Sequence, residues 1–155
     1  MSQDDGIHIL LAEDDPDDRL LTRRALGESP MAATMTTVED GAELLRYLRH
    51  EGEYRDNGEE PAAWPDLVLL DLNMPGMDGR EALREIKTDA ELRRLPVVVL
   101  TTSEAERDIL ESYNLGVNAF ITKPVNFDDL ADAMEALSAF WFDLATLPPE
   151  HDADE

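Results

Sequence analysis

The sequence LVLLDLNMPGMDG, residues 67–79, carries the clearest indication of the fold of this chain. Four consecutive aliphatic residues end in the carboxylate of Asp71, and a loop rich in proline and glycine follows at once. An uninterrupted apolar run bounded by turn residues predicts a strand that is buried on both faces, as in a parallel sheet. Asp71 therefore lies at the carboxyl end of a central strand, the edge at which open α/β sheets bind ligands. The alternative is an Asp that only caps the following turn.

Other apolar runs of the chain also end in polar groups. Because the carboxyl ends of parallel strands meet at one edge of a sheet, these groups are predicted to lie near Asp71. A weaker strand without such a group is predicted over residues 35–38. The runs and their terminal groups are residues 7–12 with Glu13 and Asp14, residues 96–100 with Thr101, and residues 119–121 with Lys123.

Helical patterns alternate with the strands. Asp15 is the predicted cap of the first helix, with Pro16 in its first turn, and Leu20, Leu21 and Ala25 form its apolar face. Five strands alternating with five helices predict a doubly wound parallel sheet with helices on both faces and right-handed crossovers. A polar loop is predicted over residues 51–65, and helices over residues 16–29, 41–50, 79–87, 104–115 and from 127 onward.

Composition narrows the functional classes. The 155 residues suit one domain, and the absence of cysteine excludes disulfides and thiolate metal sites. Thirteen basic residues against 36 acidic ones give a net charge of −23, which argues against direct DNA binding and suggests a salt-loving host. The acidic N-terminus is unlike a signal peptide, and no apolar run is long enough to span a membrane. We therefore expect a cytoplasmic protein.

The predicted edge carries the elements of phosphoryl transfer. The carboxylates of Glu13, Asp14 and Asp71 would repel one another and need a cation, and ligands offering only oxygen suit Mg²⁺. Lys123 can neutralise an incoming phosphoryl group, and Thr101 can donate a hydrogen bond to it. Asp71 would then be the nucleophile that forms an acyl phosphate.

These motifs resemble those of two-component response-regulator receiver domains of the chemotaxis type. The resemblance covers residues 7–140, with residues 1–6 as an N-terminal tail and residues 141–155 as a C-terminal extension. Asp71 precedes Thr101 by 30 residues and Lys123 by 52, as in those receivers. The motifs are Glu13-Asp14, Asp71-Leu72-Asn73-Met74-Pro75, Asp78-Gly79, Thr101 and Lys123-Pro124.

The resemblance implies a flavodoxin-like strand order, 2-1-3-4-5, and a role in signalling. It implies that Asp71 takes phosphate from a sensor histidine kinase, with the carbonyl of Asn73 joining the acidic residues around Mg²⁺. Thr101 and Phe120 would be the switch pair, in which the hydroxyl moves to the phosphate and the ring follows inward. Thr102 competes for the hydroxyl role, but the spacing to Lys123 favours Thr101. Such a protein catalyses only its own phosphorylation and slow dephosphorylation, and acts through protein–protein contacts.

Two other functions fit the same fold. An aspartyl-phosphate hydrolase usually has a second Asp two residues after its nucleophile, where this chain has Asn73; that substitution removes the general acid and argues against turnover. A nonphosphorylated adaptor would not need the acidic residues or Lys123, which are all present. A dinucleotide or P-loop enzyme would need a glycine-rich phosphate loop, which the sequence lacks.

The C-terminal segment carries a narrower resemblance, to response regulators paired with bacterial phytochromes. Its basis is the single-domain form, Thr101-Thr102-Ser103, the aromatic run Phe140-Trp141-Phe142 and the ending Thr146-Leu147-Pro148. Three consecutive aromatic residues on a helix cannot all face one core, because successive side chains point about 100° apart. Since exposed apolar patches mark interfaces and two-fold dimers are common, we expect a homodimer through Phe140–Pro148.

Overall fold

The structure is a computed structural model that describes residues 7–27, 33–54, 64–72, 74, 79–101, 117, 119–123, 125–126, 128–133 and 135. Its strands are β1 (Ile7–Ala12), β2 (Ala33–Val38), β3 (Leu67–Asp71), β4 (Val97–Thr101) and β5 (Ala119–Thr122). Its α-helices are α1 (Pro16–Gly27), α2 (Gly41–Arg49) and α3 (Gly79–Thr88), and residues 128–133 and 135 are also helical. Single 3₁₀ turns cover Gly52–Tyr54 and Leu92–Arg94.

The five strands form one sheet in the order β2-β1-β3-β4-β5, and every neighbouring pair is parallel. The predicted fold class and strand order are therefore confirmed. The second strand begins at Ala33, two residues before the predicted start, and pairs along the whole of β1. In the register of the sheet, Asp71 lies opposite Leu100 and Thr101 lies opposite Thr122, so the functional candidates share one edge.

Strand β3 is buried along its whole length, as its uninterrupted apolar run predicted. Val68 and Leu70 pack into the core formed with α2 and α3. Leu67 and Leu69 pack into the core on the other face of the sheet, with α1 and the C-terminal helical residues. Because both faces are covered, the one polar residue of this strand, Asp71, ends a column of fully buried aliphatic side chains.

Helix α1 begins where the sequence predicted it. Asp15 Oδ1 accepts a hydrogen bond of 2.8 Å from the backbone N–H of Asp17, and Pro16 is the first helical residue. The side chain of Asp15 thus satisfies an amide that the helix itself cannot pair, as a cap does.

The apolar face predicted for α1 is partly wrong. Leu20 and Leu21 are 47% and 38% exposed, whereas the helix buries Thr22, Ala25 and Leu26. Thr22 can lie in the core because its hydroxyl donates a hydrogen bond of 2.9 Å to the carbonyl oxygen one turn earlier in the same helix. A polar residue therefore occupies the buried face, and two leucines face outward.

The segment predicted as a solvent loop, residues 51–65, begins with a 3₁₀ turn that packs on α2. The 3₁₀ turn Gly52–Tyr54 folds back on α2, and the rings of Tyr54 and Tyr47 meet edge to face with centroids 5.0 Å apart. The Tyr54 hydroxyl donates a hydrogen bond of 2.5 Å to Glu43 Oε2. The segment packs on the helix because the Tyr54 ring contacts Tyr47 and its hydroxyl is hydrogen-bonded to Glu43.

Two predicted segments lie outside the described residues: the helix over residues 104–115 and the dimer segment Phe140–Pro148. The helical residues 128–133 agree with a last helix that begins near Phe127. Within the described ranges, the helices are all too short or too polar to cross a membrane.

Candidate functional site at the carboxyl edge of the sheet

The backbone ladder continues past the ends of β1 and β3 and fixes the two buried acids. The Glu13 N–H donates to the Val38 carbonyl at 3.0 Å, and the Leu72 N–H donates to the Leu100 carbonyl at 3.2 Å. Asp71 is the last residue of β3 and directly precedes Leu72. Main-chain hydrogen bonds to the neighbouring strands therefore fix the backbone that carries the Glu13 and Asp71 carboxylates.

Three carboxylates meet at this edge. One oxygen each of Glu13, Asp14 and Asp71 lies within 4.8 Å of the other two. The residues Glu13 and Asp71 are 0% and 1% exposed, whereas Asp14 faces solvent. This is the proximity that the sequence predicted.

Lys123 completes the site from the end of β5. Its Nζ lies 2.9 Å from Glu13 Oε1, 2.9 Å from Asp18 Oδ2 and 3.3 Å from Asp71 Oδ2. The ammonium donates hydrogen bonds to Glu13 and Asp18, and it forms an ion pair with Asp71. The sequence predicted that Lys123 lies at the same edge of the sheet as Asp71, but it did not predict the contact with Asp18.

The charge state of the site is set by burial. Burial raises the pKa of Glu13 to about 7, opposed by the hydrogen bond from Lys123 and reinforced by the negative charge of Asp71. Burial by itself would lower the pKa of Lys123, but its hydrogen bonds to Glu13 and Asp18 raise that pKa above the ordinary lysine value. Lys123 therefore stays positively charged near neutral pH, whereas Glu13 is partly protonated there.

Helix α1 holds the Glu13 side of the site. The Asp15 N–H donates to Glu13 Oε2 at 3.2 Å, and Arg19 Nη1 donates to the Glu13 carbonyl oxygen at 2.8 Å. The cap residue and the first turn of the helix therefore orient the buried carboxylate and its backbone.

Helix α3 begins directly against the backbone of the β3 end. The Gly79 N–H donates to the Leu72 carbonyl at 3.0 Å. A Cβ atom at Gly79 would clash with the Asp71 carbonyl oxygen and lie 2.6 Å from Leu72 Cα. Only a residue without a side chain fits this close approach, which explains the glycine of the Asp78-Gly79 motif.

The remaining predicted residues are placed only in part. Thr101 ends β4 at the same edge of the sheet, one position beyond the residue opposite Asp71, and its side chain lies outside the description. Phe120 lies in β5 opposite Val99 and is half-buried against the core on the α2 and α3 face. Asn73 lies outside the described residues.

The donor chemistry of the edge fits a hard divalent cation. In the part of the chain that the structure describes, Glu13, Asp14 and Asp71 are the one group of three or more potential metal ligands. All three offer carboxylate oxygens, the donors that Mg²⁺ and Mn²⁺ prefer over softer metals. An acidic edge with one buried lysine can therefore bind a divalent cation and a phosphoryl group together.

Comparison with known proteins decides the family. A family model described as the response regulator receiver domain matches residues 9–135. This chain belongs to that family. The receiver domain thus covers most of the 155 residues, and it includes every residue of the candidate site.

A curated relative of this receiver domain is the response regulator Rcp1 of Synechocystis. The two sequences are 41% identical over 140 residues, which make up 90% of this chain and 92% of Rcp1. The crystal structure of the Mn²⁺-bound form of Rcp1 matches with a TM-score of 0.72, over 92% of this chain and 99% of that one.

Other solved relatives are phytochrome response regulators. The crystal structure of the phosphorylated cyanobacterial phytochrome response regulator RcpA is 48% identical in sequence, has a TM-score of 0.73 and covers 92% of this chain and 99% of that one. The bacteriophytochrome response regulator RtBRR is 41% identical, with a TM-score of 0.77, over 93% of this chain and 82% of that one. This receiver domain is therefore related to phytochrome response regulators over nearly its whole length.

Proposed function

We propose that this receiver domain accepts a phosphoryl group on Asp71 from a sensor histidine kinase. The observation that carries the proposal is the position of the Asp71 carboxylate. It is buried at the end of β3, lies 3.3 Å from the Lys123 ammonium and belongs to a cluster of three carboxylates. A carboxylate held beside a fixed cation is suited to attack on phosphorus, since in-line transfer needs mainly positioning and neutralisation of charge.

In the proposed step, an oxygen lone pair of Asp71 forms a new bond to the phosphorus of phosphohistidine. The bond between phosphorus and the imidazole nitrogen breaks, and its electron pair stays on the imidazole of the kinase. Lys123 donates a hydrogen bond to a phosphoryl oxygen, and Thr101 supplies a hydroxyl at the neighbouring strand end. The product is an acyl phosphate, which stores the signal until water hydrolyses it.

We propose that Glu13, Asp14, Asp71 and the backbone carbonyl of Asn73 hold Mg²⁺ at this edge. The oxygen donors present and the negative charge of the cluster support this assignment, as does the existence of a Mn²⁺-bound form of the relative Rcp1. A bound Mg²⁺ supplies neutralisation of the charge on the transferring group.

The readout of the phosphoryl group is proposed to pass through Thr101 and Phe120. Thr101 would draw toward the phosphoryl oxygens, and the half-buried ring of Phe120 would follow into the space behind it. The signal would leave through protein–protein contacts and not through direct DNA binding, in keeping with the net charge of −23.

A kinase of the phytochrome type is the proposed source of the phosphoryl group. The support is the relation over nearly the whole chain to Rcp1, RcpA and RtBRR. The Phe140–Pro148 segment is the proposed contact of a homodimer, on the grounds of its consecutive aromatic residues.

Phosphotransfer from a purified kinase tests the proposal. A phytochrome-type histidine kinase, labelled with radioactive phosphate on its histidine, should pass the label to this protein within seconds to minutes in Mg²⁺, and much more slowly in EDTA. An unrelated histidine kinase serves as the control for partner choice. Equal transfer from both kinases would contradict the phytochrome assignment, and no transfer from any kinase would contradict the phosphoacceptor function.

A further inference from the structure

Lys123 is held by a third carboxylate that lies outside the acidic cluster. Its Nζ is 2.9 Å from Asp18 Oδ2, as close as it is to Glu13 Oε1 and closer than to Asp71 Oδ2. Asp18 comes from the first turn of α1 and not from a strand end, and its side chain is 24% exposed. Among the described residues, the candidate cation cluster includes Glu13, Asp14 and Asp71 but not Asp18.

The partners of Lys123 differ in what the proposed reaction does to them. Asp71 becomes bonded to phosphorus, and Glu13 becomes a ligand of the cation, so both carboxylates change the interactions they offer to the ammonium. Asp18 takes part in neither change. It is the one carboxylate of the three that can keep the same hydrogen bond to Lys123 before and after transfer.

We propose that Asp18 is a positioning residue that holds the Lys123 ammonium beside Asp71 while the two other carboxylates around the ammonium change partners. This inference rests on the proposed function and deepens it. A lysine side chain has four rotatable bonds, so an ammonium that loses its fixed acceptor samples many positions. The phosphoryl oxygens then meet a less well-placed donor, and transfer slows.

The backbone of Asp18 is suited to this role. Its N–H donates to the cap oxygen Asp15 Oδ1 at 3.4 Å, and its carbonyl oxygen accepts the hydrogen bond of 2.9 Å from the buried hydroxyl of Thr22. Both backbone groups of Asp18, its N–H and its carbonyl oxygen, are therefore held by side chains of α1 and its cap. The carboxylate that reaches Lys123 therefore projects from a fixed point.

Phosphorylation by acetyl phosphate in Mg²⁺ measures the effect without a kinase. Asp18→Asn should lower the rate constant by roughly 10-fold, because the neutral amide binds the ammonium weakly and its position is lost. Asp18→Glu restores the charge and should recover part of the rate. Asp17→Asn is the matched control: it removes the same charge from the same helical turn, and within the described residues its carboxylate contacts no cation. Its rate should equal that of the wild type.

A second comparison separates positioning from general damage to the site. In a Lys123→Met background, Asp18→Asn should cause no further fall in rate, because Asp18 acts only through the ammonium. A merely structural role would lower the rate by the same factor in both backgrounds, and that result would overturn the inference. An unchanged or faster rate for Asp18→Asn, beside a normally phosphorylated wild type, would overturn it too. A wild type that takes no phosphate would contradict the proposed function instead.

Discussion

Glu13 imposes a cost on the folded protein when no divalent cation is present, and Glu13→Gln should remove that cost. Burial raises its pKa from 4.5 to about 7. At about 1.36 kcal/mol per pKa unit, ionising Glu13 in the folded state costs about 3 kcal/mol above pH 7. Glu13→Gln should therefore stabilise the protein in EDTA at about pH 8 by about 2–3 kcal/mol, because the amide carries no charge to desolvate.

The sign of the pH dependence follows from the same shift. Between pH 4.5 and about 7 the folded state binds a proton on Glu13 that the unfolded state has already released. The contribution of Glu13 to the free energy of unfolding therefore falls as pH rises through this window, and it falls no further above it. The advantage of Glu13→Gln should be small near pH 4.5 and should reach its full size above pH 7.

Thermal unfolding in EDTA checks these values. For a chain of 155 residues, a gain of about 2–3 kcal/mol raises the melting temperature by about 5–10 °C. Glu91→Gln is the control for total charge, because Glu91 is exposed and its removal changes the net charge equally. Millimolar Mg²⁺ should narrow the difference, since it stabilises the wild type more than the variant that lacks one of the three carboxylates. A Glu13→Gln protein that melts below the wild type in EDTA at about pH 8 would show that the buried Glu13 carboxylate does not destabilise the folded protein.

Three further changes test the helix α3 start, the charged surface and the proposed dimer segment. In urea unfolding, Gly79→Ala should destabilise the protein by about 1–3 kcal/mol, because the new Cβ would lie 2.6 Å from Leu72 Cα. Gly27→Ala is the control and should be neutral or stabilising, because the space around Gly27 is open. With a net charge of −23, the melting temperature should climb between low and molar KCl, and a flat profile would contradict the salt-loving interpretation. Truncation after Ser138 should give a monomer in light scattering at micromolar concentration; a monomeric full-length protein, or a truncated dimer, would exclude Phe140–Pro148 as the contact.

The strand ends could be predicted from sequence because their signals are local. The apolar run before Asp71 marks a buried strand, and the run before Glu13 marks its neighbour. Topology then brings their last residues to one edge. Asp18 could not be found this way. It is one of two adjacent acids in the first turn of α1, and its contact with Lys123 joins residues 105 positions apart.

The predictions that differ from the structure concern segments whose burial depends on tertiary contacts. Counting apolar residues placed Leu20 and Leu21 on the inner face of α1, but that face includes Thr22, whose hydroxyl is satisfied within the helix. Turn-forming residues predicted a solvent loop after α2, yet Tyr54 packs on that helix through its ring and its hydroxyl. Both outcomes depend on hydrogen bonds that hydrophobic periodicity does not report.

Intact-mass analysis after treatment with acetyl phosphate and Mg²⁺ tests whether Asp71 is the phosphoacceptor. We expect the wild type to gain the mass of one phosphoryl group, and Asp71→Asn to gain none while keeping its fold. Asp66→Asn, one residue before the opposite end of the same strand, is the control and should gain the same mass as the wild type. Full labelling of Asp71→Asn, or a wild type that takes no phosphate from this donor or from a kinase, would contradict the assignment of Asp71 as the phosphoacceptor.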